Sequence, residues 1–584
     1  MRPLRTLSPA SQSALWVLLA VVIALGYLFQ LGGDHIPRNG DELVYAHIAR
    51  LTAESGHWLP LVSSYDFMRN TKPPLLFWQA MVAGGWGNHW SLLNLRLPSV
   101  VYLWLTALMV GLLTRRIVIT SANQNNNQAT VSGAIAAIVF LSFFSTYRYG
   151  RPYLTSAPET FWLCGVFLAL AWSPTTLLAS RWKFPLLAGL AIGIGCLYKS
   201  FAMVVPVAFG LALCYQFIQA RRLPWQIIRP GIALDVAKVT AISTIAIAVF
   251  SVWFAIDPLP GEVWREFVVG ENAGKFKTSD GYLKLAFSGS GGVLVILTGY
   301  FVNAGLLLPL AVGTAWTALR EKRVQRQTTS DAEKVMWLWL LALGIIFMLP
   351  SQRSARYLIP AMPAVAVLIA LYWTRIGRIW FSLTLGLCAL GTFAIRIIGT
   401  AAVQATGDTA VYSPFFWGLL AMVFSLSILG IARHHWSRQI TAITGFGFLL
   451  ALAWVTAPFN GPLGHFKPET VALMQGQQVS VPNNFNGQFE RYQFLLTGAK
   501  IVAYDAHQPV DYAPVDALFK TSRYALVQRR KGQLPCTNCR IIDVRWDLRS
   551  RQDASEGTWA AIKTPDTFWY AKEYLVEALP ARTP

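Results

Sequence analysis

Residues 39–78 read NGDELVYAHIARLTAESGHWLPLVSSYDFMRNTKPPLLFW. The stretch carries an adjacent acid pair, Asp41 and Glu42, and a lysine, Lys72, directly ahead of Pro73 and Pro74. A positioned carboxylate can take the proton from an attacking hydroxyl. A cation held in a water-poor cleft can stabilise a departing anion as its charge grows. The same acids would also suit a helix start, where carboxylates cap free amides and meet the positive end of the macrodipole. Residue types alone leave both readings open.

What surrounds this stretch decides where it lies. The 584-residue chain is 54% hydrophobic and only 13% charged, against about 25% charged in a soluble domain. Its mean hydropathy is +0.44, so it reads as a multi-spanning membrane protein, and its 23 tryptophans suit interfacial belts. A net charge of +21 would fit a nucleic-acid binder. The basic residues instead fall in short clusters between apolar runs, the positive-inside pattern, and no nucleic-acid partner is expected.

A spanning helix needs about 20 apolar residues. The runs 13–32, 92–114, 130–147, 158–176, 184–198, 201–219, 235–256, 290–318, 336–350, 358–374, 379–398, 414–432 and 440–457 meet or approach that length. The run 290–318 is long enough to be tilted, or broken by its glycines. Arg2 and Arg5 precede the first run without a convincing cleavage site, so it reads as a span and not as a removable signal. Basic clusters at Arg115 and Arg116, Arg181 and Lys183, Arg221 and Arg222, Arg320 to Lys334, Arg375 and Arg378, and Arg433 and Arg438 mark the cytoplasmic side. The loops 33–91, 148–157, 257–289, 351–357 and 399–413 then lie outside, as does the tail from 459. These outer segments keep Arg38, Lys72, Arg96, Arg148, Arg151, Lys199, Lys275, Arg353 and Arg356. Binding an anionic headgroup would explain cations on that side; solvated loop charge would explain each of them equally.

Within the first outer loop, residues 41–55 predict a helix with Leu43, Val44, Ala46, Ile48, Leu51 and Thr52 as its apolar stripe. Such a helix would lie in the interface plane, with Asn39 or Asp41 at its cap. Pro73 and Pro74 stop regular structure, and LLFWQAMVAGGW follows as a partly buried segment. The tail turns polar after the linker FNGPLGHFKP. The runs IVAYDA, YALVQRR and RIIDVRW read as strands and 484–498 and 512–520 as helical pieces, giving a small α/β domain over 459–584 beside a membrane domain over 1–458. Cys164, Cys196, Cys214 and Cys388 sit in apolar runs as core residues. Cys536 and Cys539, in CTNC, have no second ligand pair for zinc and read as a local disulfide.

Several motifs, taken in order, carry a resemblance. GDELVYAHIA and TKPPLLFW, then GRPYLTSAPETFW, CLYKSFAMVVP, VGENAGKF and SARYLIPAMPAVAVL resemble the outer-face elements of GT-C glycosyltransferases that use polyprenyl-phosphate sugars. These are the lipid A aminoarabinose transferase and protein O-mannosyltransferase families. The match spans roughly residues 30–375, and the aminoarabinose branch fits the layout best. It implies an all-α polytopic fold of about thirteen transmembrane helices with a small C-terminal extracytoplasmic α/β domain. It also implies a bacterial inner-membrane enzyme with a periplasmic active site. Its partners would be a polyprenyl-phosphate sugar donor, a lipid, glycan or protein acceptor, and the membrane lipids. By the same resemblance Asp41 is the general base and Glu42 its support. Lys72, Arg356, Tyr357, Lys275 and Lys199 receive the donor phosphate, and Tyr45, Ser156, Glu159 and Glu271 line the acceptor or sugar pocket. One base and one displacement imply inversion at the sugar carbon.

The chain also departs from that pattern. Thr71 and Asn272 stand at positions the family associates with a metal, and both are poor zinc ligands, so no metal is assigned although a divalent ion stays open. Val44 replaces a basic residue, and Ser156 replaces the acid of Thr-Asp-x-Pro, with Glu159 nearby as a substitute. Two other readings compete: a glycolipid transporter or flippase, and a noncatalytic assembly subunit. Few acids fall inside the spans and no internal repeat is evident, both unlike a transporter.

Overall fold

The structure is a computed structural model describing residues 8–37, 41–64, 69–122, 125–219, 225–276, 287, 291–324, 329–483, 487–505, 515–529, 532–548 and 563–579. Each of the thirteen apolar runs overlaps a helix. Among the described residues, eight helices are long and apolar enough to cross a membrane, or nine if one bent pair counts as a single span. That pair is α5 (Asn126–Ser142) and α6 (Phe144–Gly150), which meet at 58°. The run 290–318 is not one helix. It divides into Val293–Leu297, Gly299–Ala304, a 3-10 turn at Gly305–Leu307 and Leu308–Val324. Gly305 makes the break: its φ is +62° and a Cβ there would collide with Phe144, so only glycine fits. Cys164, Cys196, Cys214 and Cys388 are all buried. The sulfurs of Cys536 and Cys539 are bonded.

The first loop folds into two short helices. α2 covers Glu42–Glu54 and α3 covers Pro74–Ala83. Pro73 is extended and Pro74 opens α3, the position where a missing N–H costs nothing. α2 is packed inside protein, not laid with one face open to lipid. Glu42 through Ala49 are buried without interruption. Val44, Tyr45 and Ile48 share a core with Leu76 and Phe77 of α3 and with Tyr153 and Leu154. Its polar side is covered as well, because the tail folds down onto it.

The outer cations need the largest correction. Arg96, in α4 (Leu92–Ala122), is fully buried and meets no headgroup. Its Nε and Nη2 donate to the two Glu42 carboxylate oxygens at 2.6 and 2.9 Å, and its Nη1 donates to the carbonyls of Leu31 and Gly33. The Tyr153 amide adds a third bond to Glu42, at 2.8 Å. Arg151 is likewise turned inward, donating to the Tyr27 carbonyl and the Tyr147 hydroxyl. Arg353 donates to the carbonyls of Met348 and Gly291. The structural reason is common to all three: a guanidinium has five donors and can satisfy carbonyls left open at helix ends. Arg38 lies outside the described residues, as does the Lys275 side chain.

Beyond residue 459 the chain forms a five-stranded sheet in the order β2-β1-β3-β5-β4. The strands are β1 (Gln478–Asn483), β2 (Lys500–Asp505), β3 (Tyr524–Arg529), β4 (Cys539–Leu548) and β5 (Tyr570–Ala578). β2, β1 and β3 run parallel, while β5 is antiparallel to both β3 and β4. The expected strands are β2, β3 and β4; β1 and β5 are additional. The described part of 484–498 holds a 3-10 turn at Gln488–Glu490 and a helix at Arg491–Leu495, and that of 512–520 holds Val515–Leu518. FNGPLGHFKP is not a loose connector. Asn460 exchanges hydrogen bonds with the His35 backbone, its Oδ1 accepting at 2.7 Å and its Nδ2 donating at 2.9 Å.

A buried charge network joins tail to loop. Arg491 donates to Asp34 and, with Nη1 and Nη2 at 3.0 and 2.8 Å, to Asp547. Arg545 donates to Glu573, which also accepts from the Tyr492 hydroxyl. Asp34, His35 and Asp547 bring ligand atoms within 4.8 Å of one another, but Arg491 already bridges the two carboxylates.

Removing one partner of a buried pair costs about 3–5 kcal/mol, whereas replacing both with apolar residues is often neutral. Arg96→Met should therefore lower the unfolding temperature in detergent sharply, and Arg96→Met with Glu42→Leu should recover much of the loss. Burial alone would raise the Asp547 carboxyl, but Arg491 and Arg545 outweigh it and hold it well below its ordinary value. Its stabilisation is complete above the unfolded value of about 4 and is lost as pH falls through the lower folded value. Asp547→Asn should be less stable than the parent at neutral pH, and the gap in unfolding temperature should narrow as the pH is taken below about 4.

Candidate active site

α2 begins at Glu42, so Asp41 takes its N-cap position, yet its side chain makes no capping bond. One Asp41 oxygen instead accepts from the Tyr45 hydroxyl at 3.2 Å, one turn along. Glu42, one helical step further round, points the other way, into the Arg96 pair. Adjacent acids thus end in separate surroundings, one on a cavity and one locked in the core.

The cavity that Asp41 faces has a volume of about 700 Å³. Tyr45 and Lys72 line it from the first loop, Lys199 and Ser200 from the segment after the helix Lys183–Cys196, and Glu271 and Asn272 from the turn that follows Phe267. Arg356 and Tyr357 close it from the 3-10 turn Ala355–Ala361. Its wall includes Phe201, Met203, Val268 and Phe347. Asp41 and Lys72, thirty-one positions apart in the chain, therefore share one space. Tyr45 lies between them, with its hydroxyl on Asp41 and the Lys72 ammonium 5.9 Å from its ring centre. Burial first, then the Asp41 carboxylate, raises the Tyr45 phenol well above its ordinary value. The phenol therefore stays protonated and remains a donor to Asp41.

The cavity's cations are not equivalent. Lys72 donates to Glu271 at 2.8 Å and to the Thr71 carbonyl at 2.7 Å. Lys199 donates to both oxygens of buried Glu159, at 2.7 and 3.0 Å. Arg356 lies over the Tyr149 ring at 4.9 Å, and among the described residues no carboxylate stands within ion-pair distance of it. Asp41 likewise has no cation within that distance among the described residues.

Of the expected site residues, Asp41, Tyr45, Lys72, Lys199, Glu271, Arg356 and Tyr357 line the cavity. Glu159 reaches it only through Lys199. Glu42 and Ser156 do not line it: Glu42 is committed to Arg96, and Ser156 is buried at the start of α7 (Ser156–Trp172), one residue past Thr155, which does line it. Ser200 and Tyr149 were not foreseen. Ser200 donates to the Asn272 side-chain oxygen at 2.6 Å, and both sit inside or beside motifs already singled out.

A divalent metal does not fit the residues present. The Asn272 oxygen is taken by Ser200 and the Thr71 carbonyl by Lys72, while the nearest carboxylate, Glu271, is paired with Lys72. That leaves no anionic set of the kind zinc requires.

No protein-family model matches the chain. It is 24% identical over 476 residues to undecaprenyl phosphate-alpha-4-amino-4-deoxy-L-arabinose arabinosyl transferase 2 of Proteus mirabilis, covering 76% of this chain and 77% of that one. It is 26% identical over 508 residues to arabinosyl transferase 1 of the same description from Sodalis glossinidius, covering 84% and 81%. The crystal structure of ArnT from Cupriavidus metallidurans bound to undecaprenyl phosphate superposes with a TM-score of 0.57 at 17% identity, over 96% of this chain and 98% of that one. The apo form of the same protein gives 0.54. The chain is thus similar in sequence to undecaprenyl phosphate aminoarabinose transferases, and its fold is that of ArnT.

Proposed function

We propose that the chain transfers a sugar from an undecaprenyl-phosphate-linked donor to a hydroxyl of a lipid, glycan or protein acceptor, with inversion, at the periplasmic face of a bacterial inner membrane. Residues 1–458 form the catalytic domain in this reading, and 459–584 a periplasmic domain over it. The observation that carries it is a pair of opposite charges in one 700 Å³ cavity, each without a countercharge among the described residues: the Asp41 carboxylate and the Arg356 guanidinium. The names of the relatives and of the superposed structure supply the donor class.

The chemistry follows from the two ends of the cavity. Asp41 takes the proton from the acceptor hydroxyl as its oxygen forms a bond to the anomeric carbon. The bond from that carbon to the phosphate oxygen breaks on the opposite face, and undecaprenyl phosphate leaves with the bonding pair. An oxocarbenium-like transition state places the growing negative charge on the phosphate. Arg356 receives it, because its planar fork matches phosphate and, among the described residues, it has no carboxylate to release first. Lys72 contributes after sharing or exchanging Glu271. Lys199, held by Glu159, supplies a fixed positive field at the same wall. The apolar residues Phe201, Met203 and Phe347 offer the prenyl chain a dry surface. No leaving-group acid is needed, since a phosphate ester is already activated.

Asp41→Asn tests the base. Losing a general base costs about 10²- to 10⁴-fold, so product measured by mass spectrometry of envelope lipids and glycoproteins should nearly vanish while purified protein still binds undecaprenyl phosphate. A transporter would show altered flux with no chemistry, and an assembly subunit little change in either. Arg356→Ala should weaken undecaprenyl phosphate binding by about tenfold or more, as expected for a charged hydrogen bond of about 1.5–3 kcal/mol. Wild-type product from Asp41→Asn would end the proposal.

A further inference from the structure

Behind the cavity wall, on the far side of α2, the tail grips the helix that carries Asp41. Glu490 is fully buried. Its Oε1 accepts from Arg50 Nε at 2.6 Å and its Oε2 from Arg50 Nη2 at 2.9 Å. His47 Nδ1 lies 2.9 Å from the same Oε2, while His47 Nε2 meets the Ser64 hydroxyl at 2.8 Å. The next residue, Arg491, holds Asp34 ahead of the helix. Two successive tail residues therefore hold the catalytic segment on both sides of Asp41.

The contact continues into the backbone. Gly487 has φ of +68°, and a Cβ there would sit 3.0 Å from Val44 Cγ2 and 3.2 Å from Val44 N. Only glycine allows the tail to lie this close to the first turn of α2. Val44 is itself buried, so the tail covers the position where the resemblance leads one to expect a basic residue.

We infer that Glu490 is a positioning residue for the transfer reaction: through His47 and Arg50 it fixes the helix that aims Asp41 into the cavity. The inference rests on the reading of Asp41 as base. Glu490 is not needed merely to dock the tail, because Arg491 and Asn460 anchor it independently through Asp34 and His35. Its buried charge acts on α2 alone among the contacts described. A displacement of about 1 Å at a reacting group can cost about a hundredfold in rate, which is the scale on which such a clamp matters.

The test uses the full chain with Glu490→Gln, Glu490→Asp, Gly487→Ala and Asp41→Asn side by side. At equal level of folded protein, Glu490→Gln should lower product by about ten- to a hundredfold with undecaprenyl phosphate binding retained, even where the broken buried pair lowers the unfolding temperature. Glu490→Asp, which keeps the charge, should restore part of the activity, and Gly487→Ala should also lose product. Wild-type product from Glu490→Gln overturns the inference. So does a parallel fall in product, binding and unfolding temperature, which would make Glu490 an anchor of the fold. If Asp41→Asn stays active the base reading itself fails; if Asp41→Asn is dead and Glu490→Gln is fully active, only the clamp fails.

Discussion

Arg96 and Glu42 form an ion pair with almost no exposure on either side chain. Burying two charges costs several kcal/mol each before any attraction is counted, so the pair holds only because its geometry is nearly complete. The fork of Arg96 takes both carboxylate oxygens, its remaining edge takes two carbonyls, and Glu42 gains the Tyr153 amide. Four segments therefore meet at one point: the end of the first helix, the start of α2, the start of α4 and the strip before α7. The rotation of α2 is set there. With Glu42 fixed inward, the neighbouring Asp41 is turned to the cavity, and the helical repeat carries Tyr45 to the same side. An acid at a helix N-cap would ordinarily fold back on its own amides; Asp41 does not, and the helix is held by Glu42, its first residue.

The cavity shows a second economy of charge. Three cations in a water-poor space would repel one another and attract any anion. Lys72 and Lys199 each carry a carboxylate within 3 Å, so both are locally neutral, and they differ in how firmly they are held. Glu159 is buried, whereas Glu271 is about one-third exposed. The Lys199 pair is fixed wall; the Lys72 pair is able to exchange partners. Arg356 rests on the aromatic face of Tyr149, and among the described residues no carboxylate occupies its fork.

Much of this was legible from the residues. Apolar length and basic punctuation gave the helical bundle, and five motifs in order put Asp41, Lys72, Lys199, Glu271 and Arg356 on one face. Arg96 was misread, although a signal existed: it lies inside an apolar run, where a charge needs a partner, and the preceding loop offers five acids, Asp34, Asp41, Glu42, Glu54 and Asp66. Its partner was hidden because adjacent acids look interchangeable in sequence and only the helical step separates them. β1 is hard to read because its alternation, Gln478-Val479-Ser480-Val481, is only four residues long and is followed by Pro482. The broken run 290–318 was left open between tilt and break, and Gly305 against Phe144 decided it. The grip of Glu490 on His47 joins residues 443 positions apart, a distance over which spacing carries no information.

A domain lying over this cavity is readily pictured as a filter for acceptors, yet its fully buried Glu490 faces α2 instead of open solvent. The exchange at position 44 fits the same picture. A basic side chain there would have to be accommodated under Gly487, where even a Cβ on the tail side is tight; valine lets the two backbones close. Once they close, His47 and Arg50 are withdrawn from water and need an acid, which Glu490 supplies. Val44, Gly487 and Glu490 thus serve one contact between α2 and the tail, reached from two ends of the chain. On the cavity side Lys72 is held by the Glu271 carboxylate together with the Thr71 carbonyl, so the first loop is fixed from both flanks, at Lys72 by Glu271 and at α2 by Glu490.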